Sequence, residues 1–217
     1  MGYAKRASAA GLPPILATRL SGLRVAVDVQ HLYKPAPHDQ DRGTIFTLEH
    51  GLKIAEAQIS TLYAQALILW LHARGAVVLP NAPSTGILVG TYTRRNLEAN
   101  RWGAHAYLAC HVNAGNGAYC LNEYAAGTPG SVLALAIGTA LTDEFKELSD
   151  HGEQPLVIGQ RGYVCIGEFD RSRAAVIVEP FFGDHLSHQA LIPAAQLVQV
   201  GAAIGEGIAK WWERSKV

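Results

Sequence analysis

Residues 173–179 read Arg173-Ala174-Ala175-Val176-Ile177-Val178-Glu179, an almost purely aliphatic run closed by a carboxylate. An unbroken apolar stretch of this length fits a strand buried on both faces, as in parallel sheets covered by helices. Working outward, Arg24 to Gln30 is a second strand, alternating and rich in valine, and a polar, proline-bearing loop follows it from His31 to Thr44. Ala76 to Pro80 and Ala106 to Cys110 read as further strands, and Leu121 to Ala125 as a short one. Between them, Thr47 to Arg74 lacks proline and repeats apolar residues at helical spacing through Leu52, Ala55, Ile59, Leu62, Ala66, Leu69 and Trp70, with Gly75 as a stop. Arg94 to Gly103 reads as a short helix, Ser131 to Leu148 as a helix capped by its serine, and Ser187 to Glu213 as a closing helix. Strands alternating with helices predict an α/β fold: a single domain with a mostly parallel twisted sheet of about six strands and helices on both faces. In such folds ligands collect at the carboxyl edge of the sheet.

The 217 residues suffice for one sizeable core. Residues 1–23, punctuated by Gly11, Pro13, Pro14 and Gly22, read as an arm laid on the surface, and 24–217 as the one folded domain. Eighteen basic and eighteen acidic side chains cancel, so no global field draws the chain to nucleic acid or anionic lipid. Cys110, Cys120 and Cys165 form no CxxC pair, which argues against a disulfide scaffold. The longest apolar run, Ala64 to Ala73, is too short for a bilayer, and no secretory signal is read near Lys5 and Arg6. A soluble monomer is expected, made in the cytoplasm and without nucleic-acid or membrane partners.

Four residues carry the chemistry. His31 lies just past the first strand and His111 just past the third, where both reach the same sheet edge. Glu56 falls on the inward side of the long helix, and a carboxylate buried there needs a partner such as a metal ion. Two imidazoles and one carboxylate make the three-ligand set of a catalytic zinc, with a fourth position left open. Glu179, carried to the same edge by the most apolar strand, is the natural general base. Each has a plainer reading alone: a solvated histidine, a surface glutamate on a helix, a strand-end glutamate paired with Arg173.

The constellation gains weight because the chain resembles the zinc N-acetylmuramoyl-L-alanine amidases of the amidase-3 type, found in bacterial cell-wall hydrolases and phage endolysins. Six pieces carry the resemblance in order from about Arg24 to the C-terminus. They are Asp28-Val29-Gln30-His31, Glu56 with the helix ending Ala73-Arg74-Gly75, Arg95 with Ala99-Asn100, Cys110-His111-Val112-Asn113-Ala114, Asn122-Glu123-Tyr124, and Val178-Glu179-Pro180-Phe181-Phe182. The resemblance implies that His31, Glu56 and His111 bind Zn2+, that Glu179 is catalytic, and that peptidoglycan is cleaved between N-acetylmuramic acid and L-alanine. Glu49 lies upstream as another carboxylate, but the distance from Glu56 to Gly75 matches the family's helix. Two departures stand out: Leu32-Tyr33 replaces the glycines that usually follow the first histidine, and Asp184 or His185 stands where an asparagine is usual. With no secretory signal and no wall-binding module in view, a compact phage endolysin acting at the bacterial cell wall is the expected setting, with holin-type lysis as its release route if it is phage-encoded. The rival readings are a zinc peptidase acting on another peptidoglycan amide and a catalytically inactive wall-binding module.

Overall fold

Small and β-branched residues dominate the strands, and they allow helices to lie close on either face of the sheet. The structure is a computed structural model that describes residues 19–31, 43–79 and 91–216. In chain order come β1 (Arg24–Val29), β2 (Ile45–Thr47), β3 (Lys53–Ala55), α1 (Glu56–His72), β4 (Val77–Leu79), α2 (Tyr92–Trp102), β5 (Ala106–Cys110) and β6 (Cys120–Ala125). There follow α3 (Gly130–Glu144), β7 (His151–Leu156), β8 (Ala174–Glu179) and α4 (Ala194–Arg214). Six strands form one sheet in the order β4-β1-β5-β8-β6-β7. Every neighbouring pair is parallel except β6 with β8. The expected mostly parallel α/β sheet is therefore the one that forms.

Strand alternation sorts the core into two layers. Val25, Val27, Val29, Leu108, Val176 and Val178 point to the side of α1, α3 and α4. Ala26, Tyr107, Ala109, Ala175 and Ile177 point to the other side, where Ala99 of α2 and the loop residues Ile166 and Phe169 cover them. α4 packs against α1 at very short range: a Cβ on Gly201 would come 2.4 Å from the Tyr63 carbonyl oxygen. Only glycine fits there.

A buried polar cluster underlies the site edge. Arg95 and Asp28 are both fully buried and pair at 3.0 Å, while the Tyr107 hydroxyl donates to the second Asp28 oxygen at 2.6 Å and Gln30 donates to the same oxygen. This ties α2 and β5 to the end of β1, one turn of chain before His31.

The structure departs from the sequence reading in four places, one being the closing helix: Leu186–Leu191 is a separate 3-10 turn, and α4 begins only at Ala194, after Pro193. Residues 45–55 are a hairpin, not the first turns of a helix, because His50 and Gly51 adopt φ of 74° and 77° and reverse the chain. α1 consequently starts at Glu56. Its first turn is closed by Gln58, whose side chain accepts the Ala55 N–H. A sixth main-sheet strand, β7, forms from His-Gly-Glu-Gln-Pro-Leu at the sheet edge. α3 starts at Gly130 and ends at Glu144, and Ser131 bonds the Thr128 carbonyl rather than capping the helix. Most of the arm, the Leu32-Tyr33 replacement and the loop bearing Pro83, Gly86 and Gly90 lie outside the described residues. Leu20 and Leu23, at the arm's end, are fully buried.

Candidate metal centre

The carboxyl ends of β1, β5 and β8 lie side by side, so the residues after them share one edge. His31 follows β1 with a φ of 64°, a left-handed conformation that costs a non-glycine residue about 1 kcal/mol and is typical of functional positions. His111 follows β5, where its backbone N–H donates to the Val178 carbonyl and its own carbonyl accepts the Tyr63 hydroxyl of α1 at 2.7 Å. Glu56 opens α1, where unpaired backbone N–H groups favour negative charge.

These three side chains converge. His111 Nδ1 lies 3.0 Å and His31 Nε2 3.5 Å from the same oxygen, Glu56 Oε1, and the two imidazole rings stand nearly perpendicular with centroids 5.0 Å apart. One donor atom from each residue falls within a common span of 4.8 Å. Among the described residues this is the one such grouping of His, Cys, Asp and Glu, and it can hold a metal ion.

The carboxylate is fixed before any ion arrives. The Val112 N–H donates to Oε1 at 3.2 Å and the Thr44 N–H to Oε2 at 3.0 Å. Burial pushes the Glu56 pKa up, but the hydrogen bond and charge of His111 and the charge of His31 outweigh it and hold the group below its ordinary value. Burial likewise pulls His111 down, yet the Cys165 thiol and the Glu56 carboxylate beside it raise its pKa to about 10. Imidazoles ligate metals in their neutral form, so a metal held here would have to displace a proton from this ring. The donor set, two imidazole nitrogens and one carboxylate oxygen aimed at one point, fits a borderline divalent ion.

Glu179 lines the same cleft, a depression of about 770 Å³. In the antiparallel pairing, Leu121 faces Glu179 and Glu123 faces Ile177, so Glu123 and Glu179 are diagonal neighbours on one face of the sheet. Neither side chain has a hydrogen-bond or ion-pair partner among the described residues. Burial, then the charges of Glu123 and Glu56, raise Glu179 to about 7 against the pull of His111 and Arg161. Burial also raises Glu123, against the charges of His111 and Arg161.

Of the residues singled out from sequence, the structure brings His31, Glu56 and His111 together and sets Glu179 in their cleft. Arg173 pairs with Asp170 instead of Glu179, and Glu49 is exposed in the hairpin turn. Sequence reasoning gave no role to Glu123, Thr44, Cys165 or Arg161. For Glu123 a signal existed in the alternation of β6, which turns Leu121 and Glu123 to one side; the others come from loops without pattern.

No protein-family model matches the sequence, and no curated protein does. Solved structures do match in shape. Cwp6 from Clostridium difficile superposes with a TM-score of 0.68 at 20% identity over 88% of this chain, which spans only 29% of Cwp6. CwlV, an N-acetylmuramoyl-L-alanine amidase from Bacillus (Paenibacillus) polymyxa, matches through its catalytic domain with a TM-score of 0.64 at 17% identity, covering 88% of this chain and 98% of that one. The catalytic domain of an endolysin targeting Clostridia difficile gives 0.55 at 17% identity, with 87% and 97% covered. At these identities the likeness is one of fold: the chain shares the architecture of the CwlV amidase domain and of that endolysin domain.

Proposed function

We propose that the chain is a zinc-dependent N-acetylmuramoyl-L-alanine amidase that hydrolyses the amide between the lactyl group of N-acetylmuramic acid and the L-alanine of the peptidoglycan stem. The observation that carries this reading is the grip of two imidazoles on one buried carboxylate, in a cleft that also holds an unpartnered glutamate. The shared fold with an amidase and an endolysin domain supports the choice of substrate, and the endolysin likeness supports a lytic setting.

His31, Glu56 and His111 would hold the zinc ion, which would supply Lewis-acid polarisation of the amide carbonyl and acidify water at the site. Glu179 does the proton work. Its carboxylate takes a proton from the attacking water and delivers it to the departing alanine nitrogen. The hydroxyl adds to the lactyl carbonyl carbon, the C–N bond breaks, and the products are a lactyl carboxylate and a free alanine amine. Thr44 and Val112 keep Glu56 oriented, and Tyr63 holds the His111 backbone in place.

Mass spectrometry of purified sacculi digested by zinc-loaded protein tests the reading. The expected products are glycan with a free lactyl carboxylate and stems that begin with a free alanine amine. Alanine still joined to muramic acid in every product would assign the chain to the peptidases, and binding without release would make it an inactive wall-binding module.

A further inference from the structure

Part of the cleft wall is built from the loop after β7. A Cβ on Gly162 would approach Ile177 Cδ1 to 3.2 Å and a Glu123 carboxylate oxygen to 3.3 Å, so the loop is seated directly on the sheet. Its φ of 88° is a second reason for glycine. The Gln160 side chain closes the preceding turn by accepting the Val157 N–H at 2.7 Å, and the Tyr163 N–H bonds the Gln160 carbonyl. This construction sets Arg161 at the cleft between two anchored residues.

Arg161 is exposed and has no hydrogen bond or ion pair among the described residues. It is the one arginine or lysine among the described cleft-lining residues, which include three glutamates. Its charge is felt by Glu123 and Glu179 on the floor. Away from the metal centre the guanidinium is the one cationic group lining the cleft, and among three glutamates it would fix where a carboxylate sits. Gln154 and Gln160 add neutral amides beside it, and half-exposed Val164 adds an apolar edge. The stem peptide offers a matching group. Its second residue is linked through a side-chain carboxyl, leaving an α-carboxyl free one residue beyond the scissile amide, about 3.5 Å of extended chain per residue.

Resting on the amidase reading above, we propose that Arg161 is a specificity-determining residue that binds the free α-carboxylate of the second stem residue, so that acidic stems are preferred over amidated ones. A charge-assisted pair with a guanidinium fork is sufficient for roughly a tenfold or greater preference.

The test uses two soluble muramyl dipeptides that differ only in carrying the free carboxylate or its amide at that position. Hydrolysis is measured as kcat/KM, and binding of the corresponding stem dipeptides by NMR titration, with wild type, Arg161→Gln and Arg161→Lys. The expected result is a wild-type preference of about tenfold or more for the acid. Arg161→Gln should abolish it by weakening the acid alone, and Arg161→Lys should restore it only in part because the fork is gone. A preference untouched in Arg161→Gln, an equal loss on both ligands, or no wild-type preference would overturn the proposal. If wild type hydrolyses neither substrate yet binds the acidic stem through Arg161, the subsite stands and the amidase reading falls.

Discussion

Glu179→Gln separates the electrostatic cost of this carboxylate from its chemical use. Burial and two neighbouring glutamates lift its pKa from 4.5 to about 7 in the metal-free protein. The unfolded chain therefore releases this proton near pH 4.5, while the folded chain keeps it until about pH 7. Stability contributed by the protonated form is present at low pH and is lost as pH rises through that window. At about 1.4 kcal/mol per pH unit the penalty at pH 8 reaches about 3 kcal/mol, and solvent contact at the cleft mouth reduces it to about 2. Glutamine keeps the shape of the protonated acid at every pH. Urea denaturation in chelator should find Glu179→Gln more stable than wild type by about 1–3 kcal/mol at pH 8 and by less than about 1 kcal/mol at pH 5. Excess zinc should shrink the pH 8 gain, since a nearby cation favours the carboxylate. Amide hydrolysis should fall by roughly a hundred- to ten-thousand-fold. Equal stability of the two proteins at both pH values, or near-full activity of the variant, would refute the reasoning.

Other substitutions probe the supports. His111→Ala removes a donor and should reduce zinc recovered by elemental analysis to well below one ion per chain, with retained stoichiometric zinc locating the site elsewhere. Arg95→Ala strands the fully buried Asp28 carboxylate and should cost about 3–5 kcal/mol in chemical denaturation, where a loss under 1 kcal/mol would mean the pair is dispensable. Gly201→Ala forces a methyl against the Tyr63 carbonyl and should lower stability by about 1–3 kcal/mol, measured by thermal melting.

What the sequence made legible follows from which interactions are local. β5 is apolar along its whole length, β8 up to Glu179 and β1 apart from Arg24 and Asp28, because both faces are covered, and that pattern survives without knowledge of the fold. His31, His111 and Glu179 were readable for the same reason: each stands just at or past the end of such a strand. Glu56 was readable as a carboxylate in a helix that needs a partner, but its place in that helix was not. Leu48, Leu52 and Ala55 continue a spacing compatible with helix, and the break depends on the left-handed turn at His50 and Gly51. β7 carries glycine, proline and three polar side chains and is held by pairing with β6 rather than by burial, so no periodicity announces it. The cleft wall was hidden because Arg161 reaches the site only through the seating of Gly162 on the floor, a contact between residues some forty positions apart.

The most direct measurement is anomalous X-ray scattering at the zinc edge from crystals grown with the metal. One strong peak bonded to nitrogens of His31 and His111 and to an oxygen of Glu56, in the cleft that holds Glu179, is the predicted result. A peak at other residues, or none in crystals soaked with excess zinc, would contradict the account.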